Sequence, residues 1–347
     1  MTRNTVAITS AVVFVVLAAL LAVSPVPYVT LSPGGTYNVL GSAAGQPMIR
    51  IEGVQTYPAK GGLLMATVAQ PQADSQITLP EALIAEFSAD SEVLPREWVY
   101  RAGKTSEQLQ TDATRQLELA QRSATVAALR AAGHPVTEVP MVASVSVAGP
   151  AYNALAEGDL ITRVNGTAVN TPAQVREIVQ SAPVGGEVVF DFIRNKRLLT
   201  VQIVTAASNT NRKLSTSGAS YATGYQYAPT VTYSSDGAVA GPSGGLALAL
   251  GIFDLITEND LVGDRTVAAI GTIDPDGGIG RVGGVREKVY AAQRAGVSAF
   301  LIPAENCADL EGVEVGFPLV KVATLKDAIA ALQLLTEPQP TTEVPHC

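Results

Sequence analysis

Residues 241–255 read GPSGGLALALGIFDL, and residues 283–296 read GGVREKVYAAQRAG. The first stretch sets Ser243 in a Gly/Pro turn at the mouth of a nearly all-apolar helix. The second sets Lys288 on a helix whose inward stripe is predicted to be Val285, Val289 and Ala292. Those positions are spaced by four and three, and Lys288 falls on the same face. An amine buried among apolar side chains resists protonation, so its pKa should fall. A neutral lysine can take a proton from a hydroxyl, which would make Ser243 a nucleophile. The pair therefore reads as a candidate nucleophile and general base. Unpaired N–H groups at a helix start favour negative charge. Backbone donors at Gly241 and Gly244 are accordingly the expected oxyanion site.

The rest of the composition narrows the alternatives. The 347 residues suffice for two or three domains. A formal charge of −8, with no basic run, argues against a nucleic-acid partner. Cys307 and Cys347 form no CxxC pair, so no zinc site is expected, and no other metal or cofactor. A disulfide between them is open at this level. Neither His134 nor His346 lies near a nucleophile, which leaves a Ser-His-Asp triad unsupported. Gly103-Lys104-Thr105 resembles the end of a phosphate-binding loop. However, Trp98 stands where the first glycine must be, so no ATPase is expected.

The N-terminus reads MTRNTVAITSAVVFVVLAALLAVSPVPY. Val6 to Val23 carries no charge and falls within the ~17–25 residues that a spanning helix needs. Arg3 and the amino terminus place positive charge before it, which predicts a cytoplasmic N-terminus and an extracytoplasmic body. A cleaved signal peptide is the competing reading. Pro25 would follow the Ala22-Val23-Ser24 cut, so a membrane anchor over 6–26 is preferred.

Residues 27–136 are expected to form a separate N-terminal region of short strands and one helix. Met48–Ile51 and Leu63–Val68 are β-like. Thr105 to Ala132 is helical, with Leu109, Ala113, Leu117, Ala120 and Ala124 on a recurring face and Gly133 at its end. Residues 137–207 form the next unit. Within it, EGDLITRVNGTAV (157–169) is a strand, an Asn-Gly turn and a return strand. Thr171-Pro172 starts a helix, and two further strands follow. This order resembles a PDZ domain of the bacterial protease-associated kind, a small β-sandwich or barrel. Such domains bind peptides by strand addition beside the helix. Val142, Val145, Val175 and Val179 are the expected groove residues. Residues 208–220 (SNTNRKLSTSGAS) read as a linker, and 337–347 as a disordered tail.

GPSGGLALAL, followed by GTIDPDGGIGRVGGVREKVYAAQRAGVSAFLIPAEN (271–306), closely resembles the proteolytic domain of Lon proteases. That resemblance implies an α/β proteolytic domain over 221–336, with Ser243 the nucleophile and Lys288 the general base. It also implies a homo-oligomeric ring, a hexamer. Two positions depart from the family pattern: Ala240 stands where an acidic residue is usual, and Ile270 where a threonine contacts the lysine. The whole chain thus reads as an α+β multidomain protein similar to the bacterial membrane-anchored PDZ–Lon-like proteases. It would be an ATP-independent serine endopeptidase of the cytoplasmic membrane, acting on protein or peptide substrates. The alternative is a non-catalytic PDZ adaptor with a Lon-like scaffold.

Overall fold

A computed structural model describes residues 3–43, 45–100, 103–234, 241–258, 260–336 and 344–347. Helix α1 (Arg3–Val23) opens the chain. Strands β1 (Tyr28–Asn38), β2 (Ile49–Glu52) and β3 (Gly62–Ala69) follow, then α2 (Leu79–Glu86), β4 (Glu92–Pro95), α3 (Arg96–Val99) and α4 (Ser106–Ala131). Next come β5 (Thr137–Val145), β6 (Leu160–Val164), α5 (Pro172–Ser181), β7 (Glu187–Arg194), β8 (Arg197–Val204) and β9 (Ala219–Gln226). The chain continues with β10 (Thr230–Tyr233), α6 (Gly245–Ile256), β11 (Thr266–Ala269), α7 (Val285–Arg294), β12 (Ala299–Pro303), β13 (Leu319–Val322) and α8 (Leu325–Thr336).

These elements form two compact units, residues 1–133 with 229–347, and residues 134–228. This division corrects the expected boundaries. The first unit is built on a sheet of order β13-β12-β11-β3-β1-β4. Its four parallel strands include β3, which pairs with β11 from Thr266↔Gly62 to Ala269↔Met65. β1 and β4 add antiparallel partners. The residues expected as a separate N-terminal region therefore sit at the centre of the same sheet as the Ser243 and Lys288 segments.

Neighbouring side chains on a strand point to opposite faces, and β3 shows the consequence. Ala66 joins Ala268, Ile270, Phe300 and Ile302 in the core that receives Val285, Val289 and Ala292 of α7. Met65 points the other way and lies against Gly244 at the start of α6. The two helices thus cover opposite faces of one sheet. α4 packs on α6 and α8. Its entry is fixed by Thr105, whose Oγ1 accepts the Gln108 N–H while Gln108 Oε1 accepts the Thr105 N–H. The small residues Ala120, Ala124, Ala127 and Ala128 are buried along its inner face.

The second unit is a sheet of order β8-β7-β6-β5-β9 with α5 against it. Thr171 caps α5, and Pro172 starts it. Residues 208–220, expected as a linker, contribute to this unit. Ser215 Oγ donates to Ala182 O at 2.7 Å, Ser217 Oγ and Tyr221 Oη share a 2.7 Å bond, and β9 pairs with β5 from Ala219↔Val145 to Gln226↔Thr137.

The expected disordered tail also needs correction. Residues 337–343 lie outside the described residues, but Val344 is buried and the last residues dock on β13. Lys321 N–H donates to Pro345 O at 2.9 Å, and Cys347 N–H to Leu319 O at 3.1 Å. A Cys307–Cys347 disulfide fastens this end, with Cα atoms 5.1 Å apart. Closing a loop of 40 residues contributes about 4 kcal/mol in the chain-entropy account.

One buried acid in α6 works against stability. Asp254 is 3% exposed; one carboxylate oxygen accepts the Leu261 N–H, and Oδ2 has no partner among the described residues. Burial pushes its pKa up to about 6, with Asp260 adding to the rise and the Leu261 N–H opposing it. The ionised form is therefore penalised in the folded state. That penalty is full above pH 6 and vanishes below the unfolded value of 3.8. Asp254→Asn keeps an acceptor for Leu261, and is expected to stabilise the protein at pH 7 by on the order of 2 kcal/mol. In thermal melts, that gain should disappear as the pH falls to about 4.

Candidate active site

Ser243 and Lys288 are carried by segments that converge on the carboxyl ends of the parallel strands, the edge where open α/β sheets place their sites. Just past β11, Gly271 N–H donates to Ser243 O at 2.9 Å, and Leu246 N–H donates to Gly271 O at 3.0 Å. The Ser243 turn is thereby stitched to the strand end. A Cβ on Gly244 would lie 1.8 Å from Met65 Sδ, so any side chain beneath the serine would have to displace the Met65 thioether. On the opposite face, Gly284 takes φ +61° and is packed so closely on Val68 that a Cβ would lie 2.5 Å from its Cγ2. That left-handed residue turns the chain into α7.

Lys288 is 4% exposed, on the same face as Val285, Val289 and Ala292, as its spacing predicts. Desolvation pulls its pKa down to about 8, against an upward pull from the charge of Glu287. Its Nζ donates to Gly283 O at 2.8 Å. Among the described residues, no hydrogen bond joins Nζ to Ser243, whose side chain is half-buried. The structure therefore brings both residues to one sheet edge without bridging them. Ile270, fully buried in the α7 core, is the residue next to Gly271. It gives the lysine helix an apolar seat where a threonine was the family expectation. Ala240 lies outside the described residues.

The expected oxyanion donors separate. Gly241 N–H is spent on Ala113 O of α4 at 3.3 Å, so this donor is withdrawn. Gly244 N–H has no acceptor among the described residues and remains available at the helix start.

The PDZ groove assignment is also corrected. Val142, Val175 and Val179 are 0–3% exposed and belong to the unit's core, with Val145 packed against it. The reason is β9, which takes the edge of β5 where the incoming peptide was expected. The open edge beside α5 is now that of β9, and Arg176 of α5 donates to Tyr221 O at 3.3 Å across it.

Two groups near Lys288 were not singled out from sequence. Glu287 is 2% exposed, its Oε2 has no partner among the described residues, and burial raises its pKa. Asn306, fully buried, holds the loop ahead of α7: its Oδ1 accepts the Val282 N–H and its Nδ2 donates to Val282 O, both at 3.0 Å. It thereby fixes the residue next to Gly283, whose carbonyl receives Lys288. Asn306 adjoins Cys307, so the disulfide anchors the same segment. The buried side of a charged residue next to a lysine carries a sequence signal only through helix phase. An asparagine in the short 3₁₀ helix over Ala304–Leu310 carries none.

Two family models match this chain. Residues 203–326 match the family model of the Lon protease (S16) C-terminal proteolytic domain, and residues 118–205 match that of the PDZ domain. Lon protease 1 of Herpetosiphon aurantiacus is 44% identical over 73 residues, covering 21% of this chain and 9% of that protein. Lon protease of Methanosphaera stadtmanae is 42% identical over 73 residues, with the same coverage. A mitochondrial Lon protease homolog of Aspergillus fumigatus is 39% identical over 69 residues, covering 20% of this chain and 6% of that protein. The chain thus spans under a tenth of the length of these curated relatives. Among solved structures, the PDZ domain of an SdrC-like protein from Listeria innocua is 23% identical, covering 24% of this chain and 92% of that one, with a TM-score of 0.22. The chain therefore carries a Lon-type proteolytic domain. Its proteolytic-domain segment is similar to that of Lon proteases, a second segment is similar to PDZ domains, and its N-terminal apolar helix is long enough either to span a membrane or to serve as a signal sequence.

Proposed function

We propose that this protein is an ATP-independent serine endopeptidase, anchored by α1, in which Ser243 is the nucleophile and Lys288 the general base. The observation that carries the reading is the Lys288 amine, dry within the core of a Lon-type domain and drawn to a pKa of about 8. Its nitrogen leaves the Gly283 carbonyl and takes the Ser243 proton as Oγ attacks the substrate carbonyl carbon. The oxyanion is met by Gly244 N–H at the start of α6. Lys288 then hands the proton to the departing amine, and water, deprotonated by the same lysine, releases the acyl group as a carboxylate. The Cys307–Cys347 bond supports placing the body on an oxidising, extracytoplasmic side. For an ATP-independent peptidase, flexible protein segments are the fitting substrates. The PDZ unit would present or gate them by strand addition at the β9 edge. A homo-oligomeric ring is part of the same reading.

The unbridged Ser243–Lys288 pair is what favours the rival, a non-catalytic PDZ adaptor. Casein or peptide cleavage by the purified full-length chain separates the two. Cleavage lost in Ser243→Ala is the expected result. Equal cleavage by wild type and variant rejects the dyad, and inactivity of both supports the adaptor.

A further inference from the structure

Four large apolar side chains stand out on the first unit. Leu83 is 50% exposed, Ile84 73%, Phe87 87% and Trp98 73%. Leu83, Ile84 and Phe87 share one face at the end of α2, by helical spacing, while Ala82 faces inward and is buried. Trp98 sits on α3, which follows β4 directly. Both helices pack on β4 and β1.

What these residues face is fixed by how their helices are tied. The N–H of Leu79, first residue of α2, donates to Ser24 O at 3.3 Å. The N–H of Arg96, first residue of α3, donates to Pro27 O at 3.0 Å. Between these bonds, Pro25 and Val26 pair with Thr78 and Ile77. α2 also contacts α1 itself. Both helices are therefore held to the four residues that leave α1. The apolar stretch of α1 runs over 20 residues, Asn4–Val23. At about 1.5 Å per residue it is roughly 30 Å long, the thickness of a bilayer's hydrocarbon core. Ser24 then lies where the chain emerges, and the starts of α2 and α3 lie beside it. Tryptophan is enriched in this headgroup zone, phenylalanine and leucine form the buried face of helices lying in it, and an exposed apolar group of this size marks an interaction surface.

We propose that Leu83, Ile84, Phe87 and Trp98 form a lipid-facing foot that rests in the interfacial region of the bilayer crossed by α1. This inference rests on the anchor reading of α1. The foot holds the first unit against the membrane instead of leaving it on a free tether, so the Ser243 edge works near the lipid surface.

Trp98 is the chain's single tryptophan, so its emission reports this site alone. The test uses the full-length chain in phosphatidylcholine vesicles, with flotation to score anchoring. Expected is a blue-shifted Trp98 emission that loses most of its intensity in vesicles of lipid brominated near the headgroup, and that iodide in the aqueous phase quenches little. An Ile84→Glu, Phe87→Glu variant should still float but expose Trp98 to iodide. A floating wild type whose Trp98 is quenched by iodide and untouched by brominated lipid overturns the foot. Shielding from both quenchers also overturns it, since a second copy would then cover the face. A chain that does not float overturns the anchor, and the foot with it. A charged variant that remains fully quenched by brominated lipid removes α2 from the proposal.

Discussion

Replacing Lys288 by methionine is expected to abolish peptide hydrolysis while raising the melting temperature. The two effects share one cause. Lys288 is 4% exposed, and desolvation holds its pKa near 8 against an ordinary 10.5. At pH 7 the amine is protonated in both the folded and unfolded chain, and the folded state bears the burial cost. That shift corresponds to about 3 kcal/mol. Methionine fills a similar volume without a charge and removes the penalty. In a unit of this size, each 1 kcal/mol moves the midpoint by about 2–4 °C, so a rise of several degrees is expected. Loss of a general base should lower kcat/KM by roughly 10²–10⁴. The sign of the pH dependence adds a check. Between pH 8 and 10.5 the folded chain binds fewer protons than the unfolded one, so wild-type stability rises with pH across that window. The advantage of Lys288→Met should shrink over the same interval. A variant that melts lower than wild type at pH 7, or that keeps its activity, contradicts a dry catalytic amine. The expected trade of stability for function is the usual one at active sites.

The parts of this picture that sequence reveals are those set by local periodicity. Four-and-three spacing places Lys288 among Val285, Val289 and Ala292, and the structure buries it there. The Gly-rich turn before an apolar run places Ser243 at the start of α6. Capping residues mark α4 and α5 at Thr105 and Thr171. Strand pairing is non-local and leaves no such trace. β3 reads as a short apolar strand, but nothing in Leu63–Val68 says that its partner lies some 200 residues away. Residues 208–220 look like a linker because serine and threonine are abundant there. Ser215 and Ser217 are nevertheless buried, since each hydroxyl finds an internal partner. The expected boundary at 221 also assigns β9 to the proteolytic domain, whereas β9 pairs with β5 and takes the edge where the peptide groove was expected. The family matches stop at the same places: the PDZ match ends at 205, short of β9, and the Lon match begins at 203, without β3. The reach of a motif and the reach of a sheet are different quantities in this chain.

Hydrolysis should climb with pH, reach half its maximum near 8 and level off above it, and Glu287→Gln should move that climb to lower pH. The base acts only when neutral, so kcat/KM is expected to fall about tenfold per unit below the pKa of Lys288. From the plateau to pH 6 that is roughly a hundredfold loss. Burial sets the position of the limb, and Glu287 opposes it by stabilising the charged amine. Glu287 is itself buried, with Arg286 and Glu92 as its other charged neighbours. Burial is the largest cause of its raised pKa, to which Glu92 adds and which Arg286 and Lys288 offset. Removing its charge leaves desolvation unopposed, which lowers the Lys288 pKa further. The variant should then outpace wild type under acidic conditions and match it on the plateau. Stability answers separately, because Glu287 Oε2 has no partner among the described residues and a neutral amide lifts the burial cost of a carboxylate. Measuring kcat/KM from pH 5.5 to 9 on a non-titrating peptide decides the matter. A limb that stays in place shows that Glu287 carries no charge where Lys288 titrates. A limb centred well above 8 in the wild type shows an amine in contact with water, and the hydrolysis must then find its base elsewhere.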